Sequence, residues 1–302
     1  MSSVIAALQA ASIGEIKLHE PLAAYTTWKI GGPADVLLIP ETKEKLAETV
    51  RILHRFGEPW TVLGRGSNML ISDKGIRGFV LKLGPALDTL HIDGTTLVAG
   101  GAYSFIKLSV MAGKEGLTGL EFAGGIPGSV GGAVYMNAGA HGSDVSRILT
   151  RAELVLENGE LATLNRDQLQ YAYRHSVLHH DLKGIVTEAE FKLEHGDRKE
   201  IAAALAAYKD RRLRTQPLQL ACAGSVFRNP EGHFAAKLIE DAGLKGFRIG
   251  GAEVSTLHAN FIVNTGQATA SDVLSLMEEV QRVVLEKFGV GLNPEVLVVG
   301  ER

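Results

Sequence analysis

"LEFAGGIPGSVGGAVYMNAGAHG", residues 120–142, holds seven glycines and no lysine or arginine. Glycine gives up more backbone entropy on folding than any other residue and brings no side chain to pack. A run this rich in bare backbone has two readings. A flat or phosphate-bearing ligand lies against main-chain amides that side chains at Gly124, Gly125, Gly128, Gly131 and Gly132 would obstruct, or the chain makes several tight turns between packed strands. The residues by themselves leave both open. The same region, 122–143, is the longest stretch free of Asp, Glu, Lys and Arg, but its Gly, Pro, Asn and His content excludes a membrane span.

A second glycine segment lies upstream, VLGRGSNML (62–70), with Gly64 and Gly66 after a strand and Met69 where a dinucleotide fingerprint needs its third glycine. The residues after these glycines, NMLIS and then DKG, read as strand and turn, where a Rossmann or P-loop site requires a helix N-terminus. The segment therefore reads as a strand–loop–strand turn whose successive N–H groups form a potential anion nest. At the start of the chain the N-terminus reads as a short amphipathic helix. ADVLLIP (34–40) reads as a strand, and residues 42–57 as a helix with Leu46, Val50, Leu53 and Phe56 at helical spacing, Thr42 as N-cap and Gly57 past its end. WTVLG, NMLIS and GFVLKL come next as short strands. From 80 to 195, strand-like runs surround the glycine stretch and a helix at 103–115. A helix at 198–213, with Ile201, Leu205 and Tyr208 on one face, is stopped before Pro217. The last third alternates: AGSVFR (223–228) as a strand, a helix at 233–242, NFIVN, a long helix at 271–288, and EVLVV. This organisation predicts an α+β chain with parts at 1–80, 81–214 and 215–302, the last an α/β unit.

Composition narrows the function classes. At 302 residues, 45% apolar and 22% charged, the chain is an ordinary globular protein with a real interior, and at ~150 residues per domain it holds two or three compact units. Lys and Arg total 31 against 34 for Asp and Glu, so no basic excess exists to release counterions from nucleic acid. A nucleic-acid partner and membrane insertion are not expected. One cysteine, Cys222, rules out an intramolecular disulfide framework, removes thiolate metal sites and fits a reducing compartment. Without a basic n-region or a long apolar h-region at its start, the chain is expected in the cytoplasm. A monomer is expected.

The motifs TTWKIGGPADVLLIP (26–40), LGRGSNMLISD (63–73), the 120–142 stretch, YRHSVL (173–178), AGSVFRNP (223–230) and NPEV (293–296) occur in an order that resembles the UDP-N-acetylenolpyruvoylglucosamine reductase, or MurB, family over residues 20–300. The resemblance implies a two-subdomain FAD-binding fold of the vanillyl-alcohol oxidase type plus a C-terminal substrate-binding domain. It implies that Gly64, Arg65, Gly66, Ser67 and Asn68 hold the FAD pyrophosphate, and that Gly124, Gly125, Gly128, Ser129, Gly132, Ala133 and Asn137 lie along the flavin. The short interval between Arg174 and Ser225 is similar to that of type II members, so no tyrosine lid residue is carried over.

The family's activity, in peptidoglycan precursor synthesis, passes hydride from NADPH to FAD and then to an enolpyruvyl ether of a UDP-sugar. Such a substrate needs its carboxylate charge stabilised and its adjacent carbon protonated. The resemblance assigns the proton to Ser225 and the charge and geometry to Arg174 and Glu295. Arg174 suits a carboxylate because its fork is bidentate and permanently charged. Without the motifs, the three would be a surface ion pair, a turn hydroxyl and a strand-edge carboxylate. Arg228, Asn229 and Lys237 flank Ser225 and are the expected substrate contacts. Lys209, Arg211, Arg212 and Arg214 also suit a helix C-terminus without any ligand. Cys222 reads as a small buried hydrophobe, and His175, His179, His180 and Asp181 lack recognisable metal spacing, so no metal is expected. The rival readings are another FAD-dependent oxidase or dehydrogenase on the same fold, and a UDP-sugar binding module without redox chemistry.

Overall fold

A computed structural model describes residues 1–301 of the chain. They fall into two compact units that interleave in sequence. Unit 1 holds Met1–Leu18, Val36–Gly64 and Gly78–Asp210, and unit 2 holds His19–Asp35, Arg65–Arg77 and the chain from Arg211 onward. Two short segments thus leave the first part of the sequence and join the last. The cause is visible in the core of unit 2, where Trp28, Ile30 and Leu70 are buried among Val226, Phe227, Val273 and Val280.

Unit 1 contains two apolar cores. The first joins α1 (Ser2–Ala10) and α2 (Lys43–Phe56) to strand residues, with Leu8, Val36, Leu38, Leu46, Val50, Leu53 and Phe79 at its centre. Both ends of α2 are set by local chemistry. Thr42 accepts a hydrogen bond from Lys45 N–H, and Gly57 stops the helix in the left-handed region at φ +67°. The second core lies on a five-stranded antiparallel sheet in the order Leu161–Asn165, Leu149–Leu156, Gly184–Lys192, Thr96–Gly100, Leu90–Asp93. Against it pack α3 (Phe105–Lys114) and α4 (Val130–Met136), burying Phe105, Leu108, Phe122, Val134, Leu154 and Phe191.

The helix α4 lies inside the glycine stretch, where sequence reading found only backbone. Ser129 caps it by accepting from Gly132 N–H at 3.2 Å. Its bare face is needed for close approach: a Cβ on Gly131 would stand 3.1 Å from Gly101 O and 3.2 Å from Val186 O. The helix α5 (Arg198–Thr215) comes next, mostly exposed, with Ile201 its one fully buried residue.

Unit 2 centres on a four-stranded sheet in the order Ala221–Cys222, Ile262–Asn264, Ala252–Val254, Arg248–Ile249, antiparallel at every pairing. The last three of these strands follow one another without an intervening helix and reverse direction through short connections, while the chain from Ala221–Cys222 to Arg248–Ile249 carries a helix and reaches the opposite edge of the sheet. The first strand of this sheet lies at Ala221–Cys222, so residues 223–228, read as a strand, run beyond it as irregular chain. The helices α6 (Ala235–Asp241) and α7 (Ala270–Phe288) complete the unit. Met69–Ile71 joins it by parallel pairing with Leu297–Val299. Trp28 Nε1 donates to Ile262 O at 2.7 Å, and Asn264 Nδ2 donates to Trp28 O at 3.0 Å. Among the described residues no helix is long and apolar enough to cross a membrane.

Asp73 fastens the start of α7. Its carboxylate accepts from Ala270 N–H at 2.7 Å and from Ser271 N–H and Oγ at 2.9 and 2.7 Å. Burial pushes this carboxyl up, but the Ser271 hydroxyl and the two N–H donors together hold it below its ordinary value. A depressed folded-state value gives stability that is present above about pH 4 and lost as pH falls through the folded value. Asp73→Ala should therefore cost about 1 kcal/mol at neutral pH, the size of a lost helix cap. In urea melts the gap from the parent should shrink below about pH 3, and a gap independent of pH would show that the carboxylate charge is not involved.

Candidate active site

The chain leaves the strand Trp60–Leu63 and enters the loop 64–68. Gly64 is the last unit 1 residue there, and a Cβ on it would meet within 4 Å only Ser129 Oγ, at 3.1 Å. Gly64 O accepts from Lys82 Nζ at 3.4 Å. Arg65 is exposed. Gly66 is buried at φ +62°, where a Cβ would lie 2.3 Å from Tyr25 O and 2.7 Å from Thr26 Cα, and its carbonyl accepts from Thr27 N–H at 3.1 Å. No other residue fits that passage. The next two residues run beside the expected catalytic segments: Ser67 O accepts from Gly224 N–H at 3.4 Å, Asn68 Nδ2 donates to Glu295 O at 3.1 Å, and Asn68 O accepts from Leu297 N–H at 3.0 Å.

Ser225 and Glu295 lie on neighbouring antiparallel segments of unit 2. Val226 O accepts from Glu295 N–H at 2.8 Å, Phe227 pairs with Pro294 as an isolated bridge, and Arg228 N–H donates to Asn293 O at 2.9 Å. Both residues are partly exposed, and the Ser225 hydroxyl makes no hydrogen bond among the described residues.

In unit 1 the glycine stretch divides its work. Gly124 and Gly125 end a short 3-10 turn, and the missing side chain of Gly124 is accounted for by Leu205 of α5, whose Cδ2 would be 2.8 Å from a Cβ there. Gly128, at φ +152°, accepts from Phe105 N–H at 3.1 Å. Ala133 is in the core. Gly132 is different: a Cβ would meet within 4 Å only Ser129 Oγ, at an ordinary 3.4 Å. Asn137, 3% exposed, spends its amide on the scaffold, donating to Ala172 O at 3.0 Å and accepting from Ser146 N–H at 3.0 Å. That bond ties the glycine stretch to the YRHS segment. Arg174 there has φ +55°, donates to Gly139 O at 2.7 Å and lies over the Tyr173 ring at 4.9 Å. His175, His179 and His180 pack ring to ring, with Tyr135 stacked on His179.

Of the expected substrate contacts, Lys237 is ion-paired with Asp241, and Asn229 Oδ1 accepts from Ala235 N–H at 3.0 Å at the start of α6. Arg228 keeps a buried Nε without a hydrogen-bond partner. Three residues of this region went unmarked or were given a purely local reading in the sequence. Tyr171 has a buried hydroxyl with no partner, and burial, then the Asp144 charge, pushes its pKa well above the ordinary phenol range. Arg212, read with its neighbours as a helix-end charge, is half-buried with its value lowered by burial. Its Nε donates to Gln216 Oε1 at 2.8 Å, and no carboxylate pairs with it among the described residues. Beside it burial pushes the Cys222 thiol up to about 11, against the Arg212 charge. Asn260, buried at 4% exposure, bonds to both backbone groups of Phe227. Arginine and asparagine are mostly surface residues and tyrosine is intermediate, and only burial makes these three notable.

Two family profiles match. One, the FAD binding domain, covers residues 34–165, and the other, the UDP-N-acetylenolpyruvoylglucosamine reductase C-terminal domain, covers 216–299. UDP-N-acetylenolpyruvoylglucosamine reductase 1 of Bacillus anthracis is 49% identical over 300 residues, which is 99% of this chain and all of that one. The Bacillus subtilis enzyme is 48% identical over 300 residues, 99% of each chain. The crystal structure of UDP-N-acetylenolpyruvylglucosamine reductase from Thermus caldophilus superposes with a TM-score of 0.81 at 37% identity, covering 94% of this chain and 98% of that one. Berberine bridge enzyme from Eschscholzia californica, at 13% identity, TM-score 0.50 and coverage of 74% of this chain and 51% of its own, shares the fold alone. Near-half identity along the whole length, together with both domains in order, places this chain in the UDP-N-acetylenolpyruvoylglucosamine reductase family.

Proposed function

We propose that this chain reduces the enolpyruvyl ether of UDP-N-acetylglucosamine to UDP-N-acetylmuramate, with FAD as its cofactor and NADPH as co-substrate. The observation that carries the reading beyond family membership is the backbone frame that sets Ser225 and Glu295 on paired segments, with Glu295 N–H bonded to Val226 O at 2.8 Å. We also propose 1–80 and 81–214 as flavin-binding subdomains, since unit 1 holds one core on each side of residue 90 in the main, and 215–302 as the substrate domain.

The residues present fit FAD. Gly64 and Gly132 both face Ser129 Oγ with no other neighbour within 4 Å, so a flat molecule has access to main chain where a side chain would stand. Ser129 and the loop 65–68 are the groups assigned to hold it. When bound, FAD would supply the hydride relay between the nicotinamide and the CH₂ carbon of the enolpyruvyl ether.

Every other step belongs to the chain. Hydride addition at the CH₂ carbon breaks the C=C π bond and leaves its electron pair on the ether-bearing carbon, next to the carboxylate. The Ser225 hydroxyl donates its proton to that carbon, and Glu295 holds charge and geometry at the serine. Arg174 is assigned the substrate carboxylate on its YRHS motif, and its guanidinium suits a bidentate contact. The net change is one hydride and one proton added across the double bond. Arg228, whose buried Nε has an unmet donor, is the residue of the three flanking Ser225 that is best prepared for an anionic substrate group.

Gly132→Ala separates scaffold from cofactor surface. A methyl group there has room, and alanine favours a helix by about 1 kcal/mol over glycine, so the apoprotein should melt at the same temperature or higher. Flavin titration should show FAD binding weakened about tenfold or more, because the methyl occupies the cofactor's approach. Undiminished FAD affinity would remove Gly132 from that surface.

Ser225→Ala removes the proton donor at little change in volume. Bleaching of the flavin absorbance by NADPH needs no such proton and should proceed at the parent rate. Return of colour on adding the enolpyruvyl substrate should slow by at least ~100-fold, the lower end for positioned proton transfer. Stopped-flow traces that slow equally in both phases, or in neither, would take the serine out of the acid role.

A further inference from the structure

Residues 223–228 have the composition of a strand but no strand beside them that completes their ladder. Asn260 supplies what a strand would. Its Oδ1 accepts from Phe227 N–H at 2.9 Å, its Nδ2 donates to Phe227 O at 2.8 Å, and its own carbonyl accepts from Val226 N–H at 2.9 Å. A primary amide is the side chain that offers one donor and one acceptor side by side, matched to the N–H and C=O of one residue. The partners fix which end is oxygen and which is nitrogen.

Asn260 is itself anchored. Its N–H donates to His258 Nδ1 at 3.2 Å, and Ser255 Oγ closes the same turn by accepting from Leu257 N–H at 3.1 Å and His258 N–H at 3.3 Å. On the far side of the segment, Val226 O accepts from Glu295 N–H. Three hydrogen bonds from one buried side chain and backbone therefore end within two residues of Ser225, and the next bond in the series reaches Glu295.

We propose that Asn260 is a positioning residue for the proton-transfer step, its carboxamide setting the register of Ser225 against Glu295 without contact to substrate. This rests on the assignment of Ser225 as the proton donor. Displacing a reacting group by about 1 Å is enough to cost ~100-fold, and Phe227, whose N–H and C=O are both met by this one side chain, is where the segment is exposed to that loss.

The test uses Asn260→Asp in the FAD-loaded protein. As a carboxylate it still accepts from Phe227 N–H but faces Phe227 O with charge and no donor. As a carboxylic acid it has the amide's shape and one O–H to donate. Three ionisable groups border it: His258 at its N–H, Glu295 beyond Val226, and Arg228 next to Phe227. Burial, then the Lys245 charge, lowers His258, and the parent protein measured over the same pH range reports any part it plays.

At about pH 8 the variant should slow the return of flavin colour on adding the enolpyruvyl substrate ~100-fold, with bleaching by NADPH kept within about twofold. At about pH 6 the lost rate should recover about tenfold relative to the parent as the introduced acid takes up its proton. Equal slowing of both phases, no slowing, or slowing that persists on acidification overturns the proposal. If the variant yields no folded flavoprotein, amide exchange of the parent decides: Phe227 N–H exchanging as slowly as the sheet amide of Val263 supports the frame, and exchange at an open-loop rate overturns it. Ser225→Ala run in parallel separates the two ideas. Unselective slowing there removes the serine's role, while protection of the Phe227 amide still reports whether Asn260 holds the segment.

Discussion

Gly66 passes beneath the Tyr25–Thr26 backbone, and the layout of unit 2 is built around that passage. At φ +62°, with the Tyr25 carbonyl where a Cβ would stand, the loop has one available path. That path delivers Ser67 and Asn68 to Gly224, Glu295 and Leu297, and starts Met69–Ile71 in parallel register with Leu297–Val299. A loop whose glycines first resemble a phosphate nest is thereby also a structural clamp. The same hydrogen bonds that hold it set the positions of the two residues assigned to proton chemistry in this unit.

Buried asparagines repeat this logic. Asn137, Asn260 and Asn264 are 3%, 4% and 9% exposed, and each joins irregular segments that lack a neighbouring strand. Asn264 binds Trp28 O on one side and the N–H groups of Gly266 and Ala268 on the other. Leaving such a buried partner unsatisfied costs about 1–3 kcal/mol. The arrangement is thus specific as well as stabilising, because no apolar residue of similar size replaces it. Regular sheet gives stiffness to the interior, and these amides extend it to irregular chain, including the segment that carries Ser225.

The glycine stretch is neither all cradle nor all turn. Gly131 lets α4 approach the five-stranded sheet, and Gly124 receives Leu205 from α5. At Gly132 and Gly64 a Cβ would meet only Ser129 Oγ within 4 Å, at 3.4 and 3.1 Å. The bare backbone of this stretch thus serves helix packing as much as chain flexibility.

Much of the local structure was legible in the sequence. Helical periodicity with Thr42 and Gly57 at its ends marked α2, strand-like runs marked most of the long strands, and the ordered motifs from TTWKIGG to NPEV implied the family. These signals are local, or are long enough to be specific. The remainder was settled by long-range packing. The capped helix inside 120–142 is masked by glycines that lower helix propensity, and their reason is the closeness of the sheet. The interleaving of 19–35 and 65–77 with the last third comes from burial of Trp28 and Leu70, which no window along the chain records. The weight of Tyr171, Arg212 and Asn260 arises from burial of polar groups, and a sequence does not state which of its polar residues will be enclosed, because that is set by what packs over them.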